Sequence, residues 1–302
     1  MILDSATLYY RAFYALPEKM TAPDGHPHNA IRGFLTMLTK LRQLHSPSGL
    51  VAAWDTDWRP QWRVDLLPSY KTHRLETAPD EKGESTHFEE VIPDTLGPQI
   101  GAIADILDSM GITRIGLPNF EADDVIASFA AQSSGPNLVV SSDKDLVQVI
   151  SPTTSMLLQV NGGIEGWPIV GPEQVLEKFG VPVSSYVDYA VLRGDPSDGL
   201  PGVTGIGPKT AAALIGKYGS IENLHLAIEA GNVEKPLSIK VAERIQASRK
   251  YTDKALKVVT AETALPVSKF STGIPESPKS PKKLKELASE WGVERFVDQF
   301  FS

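Results

Sequence analysis

Three aspartates of this 302-residue sequence follow short apolar segments. Asp4 follows MIL, Asp55 follows LVAAW, and Asp143 follows NLVVSS. If the segments are parallel strands, their carboxyl ends meet at one edge of the sheet, which is where α/β proteins bind ligands. Carboxylates gathered there would repel one another unless cations are present. The three aspartates together predict a metal site, whereas a turn residue or a helix cap is the alternative role for each one alone.

Six further acidic residues extend the predicted cluster: Asp145, then Glu121, Asp123 and Asp124 of FEADDVI, then Asp195 and Asp198 of GDPSDG. Oxygen donors in this number suit Mg²⁺ or Mn²⁺, and the absence of cysteine argues against softer metals. Helix capping is the competing role for the acids of FEADDVI, because carboxylates near a helix N-terminus satisfy free N–H groups. The acids of GDPSDG could equally be turn formers.

A glycine-rich segment, GVTGIGPKTA at 202–211, is the second candidate site. It does not match a phosphate loop, because Pro208 separates Gly207 from the lysine. The GxGxxxA spacing that starts at Gly205 instead fits a helix–hairpin–helix, in which glycines let backbone N–H groups approach a DNA phosphate. Lys209 would add a phosphate contact that carries no sequence information. An ordinary turn between helices is the alternative.

Alternating strands and helices are predicted to position the carboxylates. Apolar runs predict strands at the first three residues and at 50–54, 113–117 and 137–141, with helices at 30–44, 96–110, 123–131 and 172–179. This alternation is typical of a parallel α/β sheet. The stretch 59–90 is polar and interrupted by prolines, so we expect an irregular excursion there.

The second half of the chain is predicted to be mainly helical. Strand patterns fade after about residue 165, whereas 209–217 and a basic stretch at 238–257 have helical character. We therefore expect an α/β domain at 1–168 and a helical region at 169–302.

Composition limits the possible functions. Hydrophobic residues make up 41% of the chain, which is enough for a core, and the lack of cysteine excludes disulfides and cysteine nucleophiles. The net charge of −8 would by itself argue against a nucleic-acid partner. If the nine candidate metal ligands are left out of the count, 28 acidic residues remain against 29 basic ones, so the charge does not exclude DNA. With no membrane span or secretory signal in the pattern, we expect a soluble intracellular protein.

These motifs resemble the 5′-nuclease family, which includes bacterial flap endonucleases and the 5′-exonuclease domain of bacterial DNA polymerase I. The resemblance runs from Asp4 to about Phe300 and rests on ILDS with YYRAFYAL, AAWD, LPSYKTHR, FEADDV, SSDKDL and RGDPSDGLPGVTGIGPKTA. It implies a PIN-like parallel-sheet core with a helical arch, followed by a helical DNA-binding region. Because nothing like a polymerase follows, we expect a stand-alone monomer associated with the nucleoid in the bacterial cytoplasm.

The resemblance also implies two divalent metal sites, each held by carboxylates. One ion would be surrounded by Asp4, Asp55, Glu121 and Asp123. The other would be surrounded or approached by Asp143, Asp145 and Asp198, with Asp124 and Asp195 bridging or in an outer position. Asp145 is expected to be required for catalysis.

DNA contacts follow from the same resemblance. A region at about 60–95 would form the arch that admits a single-stranded 5′ end, and its Tyr70, Lys71 and Arg74 would contact the scissile phosphate or adjacent backbone. Lys71 and Arg74 would act in catalysis. The hairpin at about 186–219 would grip duplex DNA and bind K⁺, and its contact residues would be Gly202, Gly205, Gly207, Lys209 and Thr210.

The implied activity is metal-dependent hydrolysis of DNA at a 5′ flap, nick or free 5′ end, leaving a 5′-phosphate and a 3′-hydroxyl. No membrane and no small-molecule cofactor are expected to take part. Two departures from the family pattern are Ser5, where glycine is usual, and Gly199, where SDN is usual. A PIN-type ribonuclease, a non-catalytic DNA-junction-binding protein and a phosphatase with an aspartate nucleophile are the alternatives.

Overall fold

The computed structural model describes residues 1–79 and 86–302. Its main sheet, in the described residues, has six strands in the order β5-β2-β1-β6-β7-β8. The strands of both sheets are β1 Ile2–Asp4, β2 Val51–Ala53, β3 Leu75–Pro79, β4 Thr86–Glu90, β5 Thr113–Ile115, β6 Asn137–Ser141, β7 Thr154–Leu158 and β8 Ile169–Val170. All pairs in the main sheet are parallel except β7 with β8, so the predicted parallel sheet is confirmed with an antiparallel edge.

The central strands are mainly apolar because both faces of the sheet are covered, and their polar residues lie at the strand ends. Successive side chains of a strand point to opposite faces. Ile2 and Val139 belong to one buried core, whereas their neighbours Leu3 and Val140 belong to the other. The short strands β1 and β2 lie at the middle of the sheet, where burial on both sides compensates for their length.

Helices fill both layers. They are α1 Ser5–Ala15, α2 Asn29–His45, α3 Gln61–Leu66, α4 Gly97–Met110, α5 Ala122–Gln132, α6 Pro172–Phe179, α7 Tyr186–Arg193, α8 Pro208–Tyr218, α9 Ile221–Glu229, α10 Ile239–Ala247, α11 Arg249–Val259, α12 Pro281–Glu290 and α13 Glu294–Phe301. None of the helices in the described part of the chain is long and apolar enough to cross a membrane.

The two layers draw on different parts of the sequence. One core joins a sheet face to α5 and to helices α7 to α11. The other joins the opposite face to α1, α2 and α4, and the last two helices, α12 and α13, return to this layer. The aromatic end of the chain contributes Phe296 and Phe300, which are both buried.

The predicted helical arch is wrong for the described parts of 75–90. Residues 61–66 are helical, but β3 and β4 pair as an antiparallel ladder from Leu75 opposite Glu90 to Pro79 opposite Thr86. Thr86 and Phe88 are of residue types that are common in strands, which favours a strand over a helix in β4. The middle of the predicted arch, 80–85, lies outside the described residues.

The predicted basic helix at 238–257 is two helices. It divides into α10 and α11 at Ser248, whose N–H donates to the carbonyls of both Arg244 and Ile245. Serine competes for backbone hydrogen bonds and so favours helix ends. Helix α1 and strands β7 and β8 were not predicted.

Candidate active site

The strand-end aspartates lie at neighbouring positions of one sheet edge. Strands β2, β1 and β6 are adjacent and parallel, so Asp55 and Asp143 follow the strands on either side of Asp4. The predicted convergence is confirmed. Capping is also present, because Asp4 accepts from the Thr7 N–H at 3.4 Å and Asp55 accepts from the Ala122 N–H at 2.8 Å.

A cavity of about 690 Å³ opens at this edge. Its acidic lining residues are Asp4, Asp55, Glu90, Glu121, Asp123 and Asp143, and its basic ones are Arg11, Lys71 and Arg74. A smaller opening of about 210 Å³ is lined by Asp143, Asp145, Asp195 and Asp198 together with Ser142, Lys144 and Ser197. Asp143 borders both spaces. The structure thus gathers eight of the nine predicted carboxylates around two adjoining openings.

Burial raises the pKa of several of these carboxyl groups. The pKa of Asp4 rises to about 7, first through burial and then through the nearby charges of Asp143 and Asp55, against a lowering by the Ser141 hydrogen bond. The pKa values of Asp123 and Asp145 rise well above the ordinary range, first because each carboxyl group is poorly solvated and then because the charge of Asp143 is near. The arrangement is costly as a set of bare anions, and positive charge would stabilise it.

The residues fit hard divalent cations by donor type and charge. The side chains that line the two openings offer carboxylate, hydroxyl and amide oxygens. Oxygen atoms are the ligands that Mg²⁺ and Mn²⁺ prefer. Within residues 1–79 and 86–302, no three Asp, Glu or His side chains are grouped closely enough to hold one ion. Three of the carboxylates already have polar partners: Ser141 Oγ donates to Asp4 at 2.5 Å, Lys71 donates to Glu121, and Arg74 donates to Asp198.

Asp124 lines neither opening, which argues against the predicted bridging of two metal ions, whereas its predicted outer position stays a prediction. Its buried carboxylate receives both guanidinium branches of Arg63, at 2.7 and 2.8 Å, and the N–H groups of Glu121 and Glu262. It forms a capping box with Glu121 at the start of α5. For Asp124, the alternative role of helix capping is therefore correct.

Arg63 is a site residue that the sequence did not reveal. It is only 3% exposed, bonds Asp124, approaches Glu121 at 3.2 Å and donates from Nε to the Val258 carbonyl. It ties α3, α5 and the end of α11 together behind the cavity. A basic residue in a polar segment gives no signal of burial, because such residues are usually exposed.

Lys71 lines the larger cavity, and its predicted contact with the scissile phosphate stays a prediction. Its ammonium donates to Glu121 Oε2 at 2.5 Å and to the Trp58 carbonyl at 3.3 Å. Burial alone would lower the pKa of Lys71, but the charges of Glu121 and neighbouring acids raise it well above its usual range. Lys71 therefore keeps its charge at the cavity wall.

Tyr70 and Arg74 differ in their access to a ligand. The Tyr70 hydroxyl donates to Glu121 and the residue is 4% exposed, so it cannot touch DNA in this arrangement, contrary to the prediction. It positions Glu121 instead. Arg74 lines the cavity and donates to Asp198 Oδ1 at 2.8 Å, bridging the two openings.

Gly199 allows the turn at 195–200 to pack against the lysine segment. Its φ of 70° lies in the left-handed region, and a Cβ there would overlap the Ser69 carbonyl oxygen. This close approach lets the Lys71 N–H donate to the Asp198 carbonyl at 3.0 Å. The backbone conformation and this close contact explain why glycine stands at 199, where the family pattern has asparagine.

Asp195 combines a turn role with a place at the smaller opening. Its carboxylate accepts from the Ser197 N–H at 2.9 Å and from Arg193 at 3.1 Å. The sequence left turn and metal roles open for Asp195, and the structure shows the turn contacts beside the carboxylate cluster.

The glycine segment connects α7 to α8 as a hairpin, in line with the predicted motif. Gly202 and Gly205 have φ values of 69° and 77°, and Gly207 is the N-cap of α8 without a side-chain cap. Lys209 is exposed and Thr210 is half-buried in the first turn of α8. Five predicted contact residues therefore lie together on one hairpin.

Comparison with known families finds matches that together cover residues 1–279. The family described as 5′-3′ exonuclease, N-terminal resolvase-like domain, matches residues 1–180. The companion family, 5′-3′ exonuclease, C-terminal SAM fold, matches residues 181–279. The chain belongs to the 5′-3′ exonuclease family. It is a nuclease with a PIN-like core and a helical C-terminal domain, as the sequence predicted.

Relatives of this exonuclease-family chain include both short and long proteins. A 5′-3′ exonuclease of Streptomyces coelicolor is 40% identical over 97% of the chain and 96% of the relative. One from Mycobacterium tuberculosis is 39% identical over 98% and 95%. DNA polymerase I of Mycobacterium bovis is 37% identical over 87% of the chain, which corresponds to 28% of the polymerase.

Solved structures share the fold of this 5′-3′ exonuclease-family protein. The T5 5′-exonuclease with bound zinc matches with a TM-score of 0.63 at 17% identity, covering 100% of this chain and 96% of the other. The catalytic core of Rad2 in complex with a DNA substrate matches with a TM-score of 0.61 at 16% identity, covering 99% and 92%.

Proposed function

We propose that this protein hydrolyses DNA at 5′ flaps, nicks and free 5′ ends with the help of two divalent ions, Mg²⁺ or Mn²⁺. The observation that carries the proposal is the carboxylate-lined edge bordered by Lys71 and Arg74, on the same chain as a glycine hairpin suited to duplex DNA. A T5 flap endonuclease of the same fold has been solved as a complex with DNA and metal ions, which supports the proposal.

The carboxylates would hold the metal ions at the two openings. Asp4, Asp55, Glu121 and Asp123 would serve the larger opening, and Asp143, Asp145 and Asp198 the smaller. When bound, such ions lower the pKa of a coordinated water and stabilise charge on the attacked phosphate. Asp195 would remain in an outer position, because its oxygens already bond Ser197 and Arg193.

The basic residues of the chain would orient and stabilise the phosphate. Lys71 presents a buried positive charge at the cavity wall, where low dielectric strengthens its interaction with developing negative charge. Arg74 is 36% exposed and can leave Asp198 to reach a phosphate oxygen. No side chain needs to act as a general base in this scheme.

The hairpin would hold the duplex, with backbone N–H groups and Lys209 at a phosphate and with K⁺ at its carbonyls. Lys209→Ala should weaken duplex binding and make the dependence of log Kd on log salt shallower by about 0.9, the value of one phosphate contact. Titration of a labelled duplex at several KCl concentrations checks this. An unchanged salt slope would count against the hairpin as a phosphate site.

Cleavage of a labelled 5′-flap duplex tests the proposal. The protein is incubated with the flap substrate in Mg²⁺, in Mn²⁺ and in chelator. Release of the flap near the junction, with a 3′-hydroxyl on it and a 5′-phosphate on the duplex, is expected only with metal. Tight binding of the DNA without cleavage in either metal would favour a binding role, and cleavage of an RNA strand alone would favour the ribonuclease.

A further inference from the structure

Helices α10 and α11 carry basic side chains that the proposed site does not use. On α11, Lys250, Lys254 and Lys257 are all exposed and recur at intervals of four and three residues. Such spacing places side chains on one face of a helix, and we call these three residues the lysine ridge. Within the described residues, none of the three makes an ion pair or a side-chain hydrogen bond, whereas the neighbouring Arg249 pairs with Glu222 and Glu229.

Two of the three ridge lysines are unfavourably placed in their own helix. Lys250 lies in the first turn of α11, which contains no acidic residue, and positive charge is unfavourable at that end of a helix. Like charges four residues apart, such as Lys250 and Lys254, also repel. Lys257, in contrast, lies in the last turn of α11, where positive charge is favourable. Helix formation therefore does not explain Lys250 and Lys254, and an external anion would.

Both helices are attached to the glycine hairpin by their own side chains. The Gly202 N–H donates to the Tyr251 hydroxyl at 2.9 Å, next to Lys250 on α11. On α10, the Arg244 guanidinium packs so closely on Gly205 that a Cβ there would overlap its Nη1. In the part of the chain that the structure describes, the half-buried Arg244 side chain has no acceptor, although a guanidinium carries five N–H donors.

We propose that Arg244 and the lysine ridge bind the phosphate backbone of duplex DNA, so that the duplex surface extends from the hairpin over α10 and α11. The inference rests on the proposed function of the hairpin. The ridge is about 10 Å long at 1.5 Å per residue, and one DNA strand presents a phosphate about every 3.4 Å along the axis. Because lysine side chains are long and flexible, the three ridge charges can reach neighbouring phosphates of one strand.

A charge-matched pair of variants tests the inference. In the ridge variant, Lys250, Lys254 and Lys257 all become Gln. In the control, Lys279, Lys282 and Lys285 become Gln, which removes the same charge from exposed lysines that make no ion pair in the described residues. Arg244→Gln is measured separately. Duplex Kd is determined for each from 50 to 200 mM KCl.

The ridge variant should bind duplex more weakly, and its salt slope should be shallower by up to about 2.7, at about 0.9 for each phosphate that its side chains no longer bind. For Arg244→Gln the slope should be shallower by about 0.9, and the control should match the wild type. The Tm of the ridge variant should be unchanged or raised, and kcat on saturating flap DNA should be unchanged because none of these residues lines the cavity.

Equal slopes for the ridge, Arg244→Gln and control variants, with firm duplex binding by the wild type, would overturn the inference and leave the proposed function standing. Absence of duplex binding by the wild type would overturn both. An equal weakening in the ridge and control variants would show that only total charge matters and would also overturn the inference.

Discussion

Adjacent acidic residues of the FEADDV motif have opposite surroundings. Asp124 receives four hydrogen bonds and is fully buried, whereas Asp123 accepts none from the described residues and faces the cavity. In the sequence the two aspartates look alike. The helix directs Asp124 into the protein, where it is structural, and Asp123 toward the cavity, where it is a candidate metal ligand. The contrast provides a test on neighbouring residues.

Asp124→Ala should lower the free energy of unfolding by about 3 to 5 kcal/mol, because it leaves the Arg63 guanidinium buried without its main partner. Asp123→Ala should leave stability equal or raise it, since it removes a buried anion near Asp143. Urea unfolding of both metal-free variants measures the difference. Equal decreases would show that the Arg63–Asp124 pair contributes little to the fold.

Asp4 predicts a pH dependence of stability in the metal-free protein. Its pKa is about 7 in the folded state and about 3.8 ordinarily, so the folded state binds the proton first as pH falls. The free energy of unfolding should therefore rise from about pH 7 to pH 4 by at most about 1.4 kcal/mol per pH unit, and this gain is lost above pH 7.

Urea unfolding at pH 5.0 and 7.5 compares the wild type with Asp4→Asn, which has no proton to exchange but can still accept from Ser141. The variant should show the smaller change between the two pH values, and Mg²⁺ should reduce the change in the wild type. The same pH dependence in both proteins would show that Asp4 does not titrate in this range.

At the scale of elements, the turn at 195–200 and the segment at 69–71 act as one unit. Gly199 permits the contact, and the Lys71 N–H and the Arg74 guanidinium both bond Asp198. Lys71 itself has a φ of 51° and lies in the left-handed region. Its position therefore depends on a neighbouring turn, in addition to its own segment.

Gly199→Ala should reduce flap cleavage more than it reduces stability. The new Cβ must displace the Ser69 carbonyl, which moves Lys71 relative to Glu121. Gly101→Ala in α4 is the control, because nothing lies within 4 Å of a Cβ there and its φ is not in the left-handed region. Single-turnover rates and Tm values of both variants are compared. Wild-type cleavage by Gly199→Ala would show that the turn does not position Lys71.

Elements with a local signal could be predicted from the sequence. Strand β6 and helix α6 match their predicted bounds because apolar spacing and flanking glycines mark them. The division at Ser248 and the ladder of β3 with β4 were not predicted, because a single serine and a short run of strand-forming residues are weak local signals. The buried Arg63 escaped because its partners are 61 and 195 residues away.

At the scale of the whole molecule, the sheet edge gathers residues from distant parts of the chain. The strands deliver Asp4, Asp55 and Asp143, helix α5 delivers Asp123, and the 195–200 turn delivers Asp198. Sequence could predict the strand-end set, because parallel topology forces it together. The sequence could not predict which of these acidic side chains, such as Asp124, are already hydrogen-bonded to other parts of the protein.

Single-turnover cleavage of a 5′-flap duplex by Asp145→Asn, beside the wild type in Mg²⁺, tests the central claim most directly. In the described residues, the Asp145 carboxylate accepts no hydrogen bond. The residue borders the smaller opening and also a narrow pocket that Arg63 and Glu121 line. The variant should fold and bind the duplex normally, yet cleave about a thousandfold more slowly, because a metal-site charge worth several kcal/mol is removed. Cleavage at the wild-type rate would contradict the assignment of this carboxylate cluster as the metal-dependent active site.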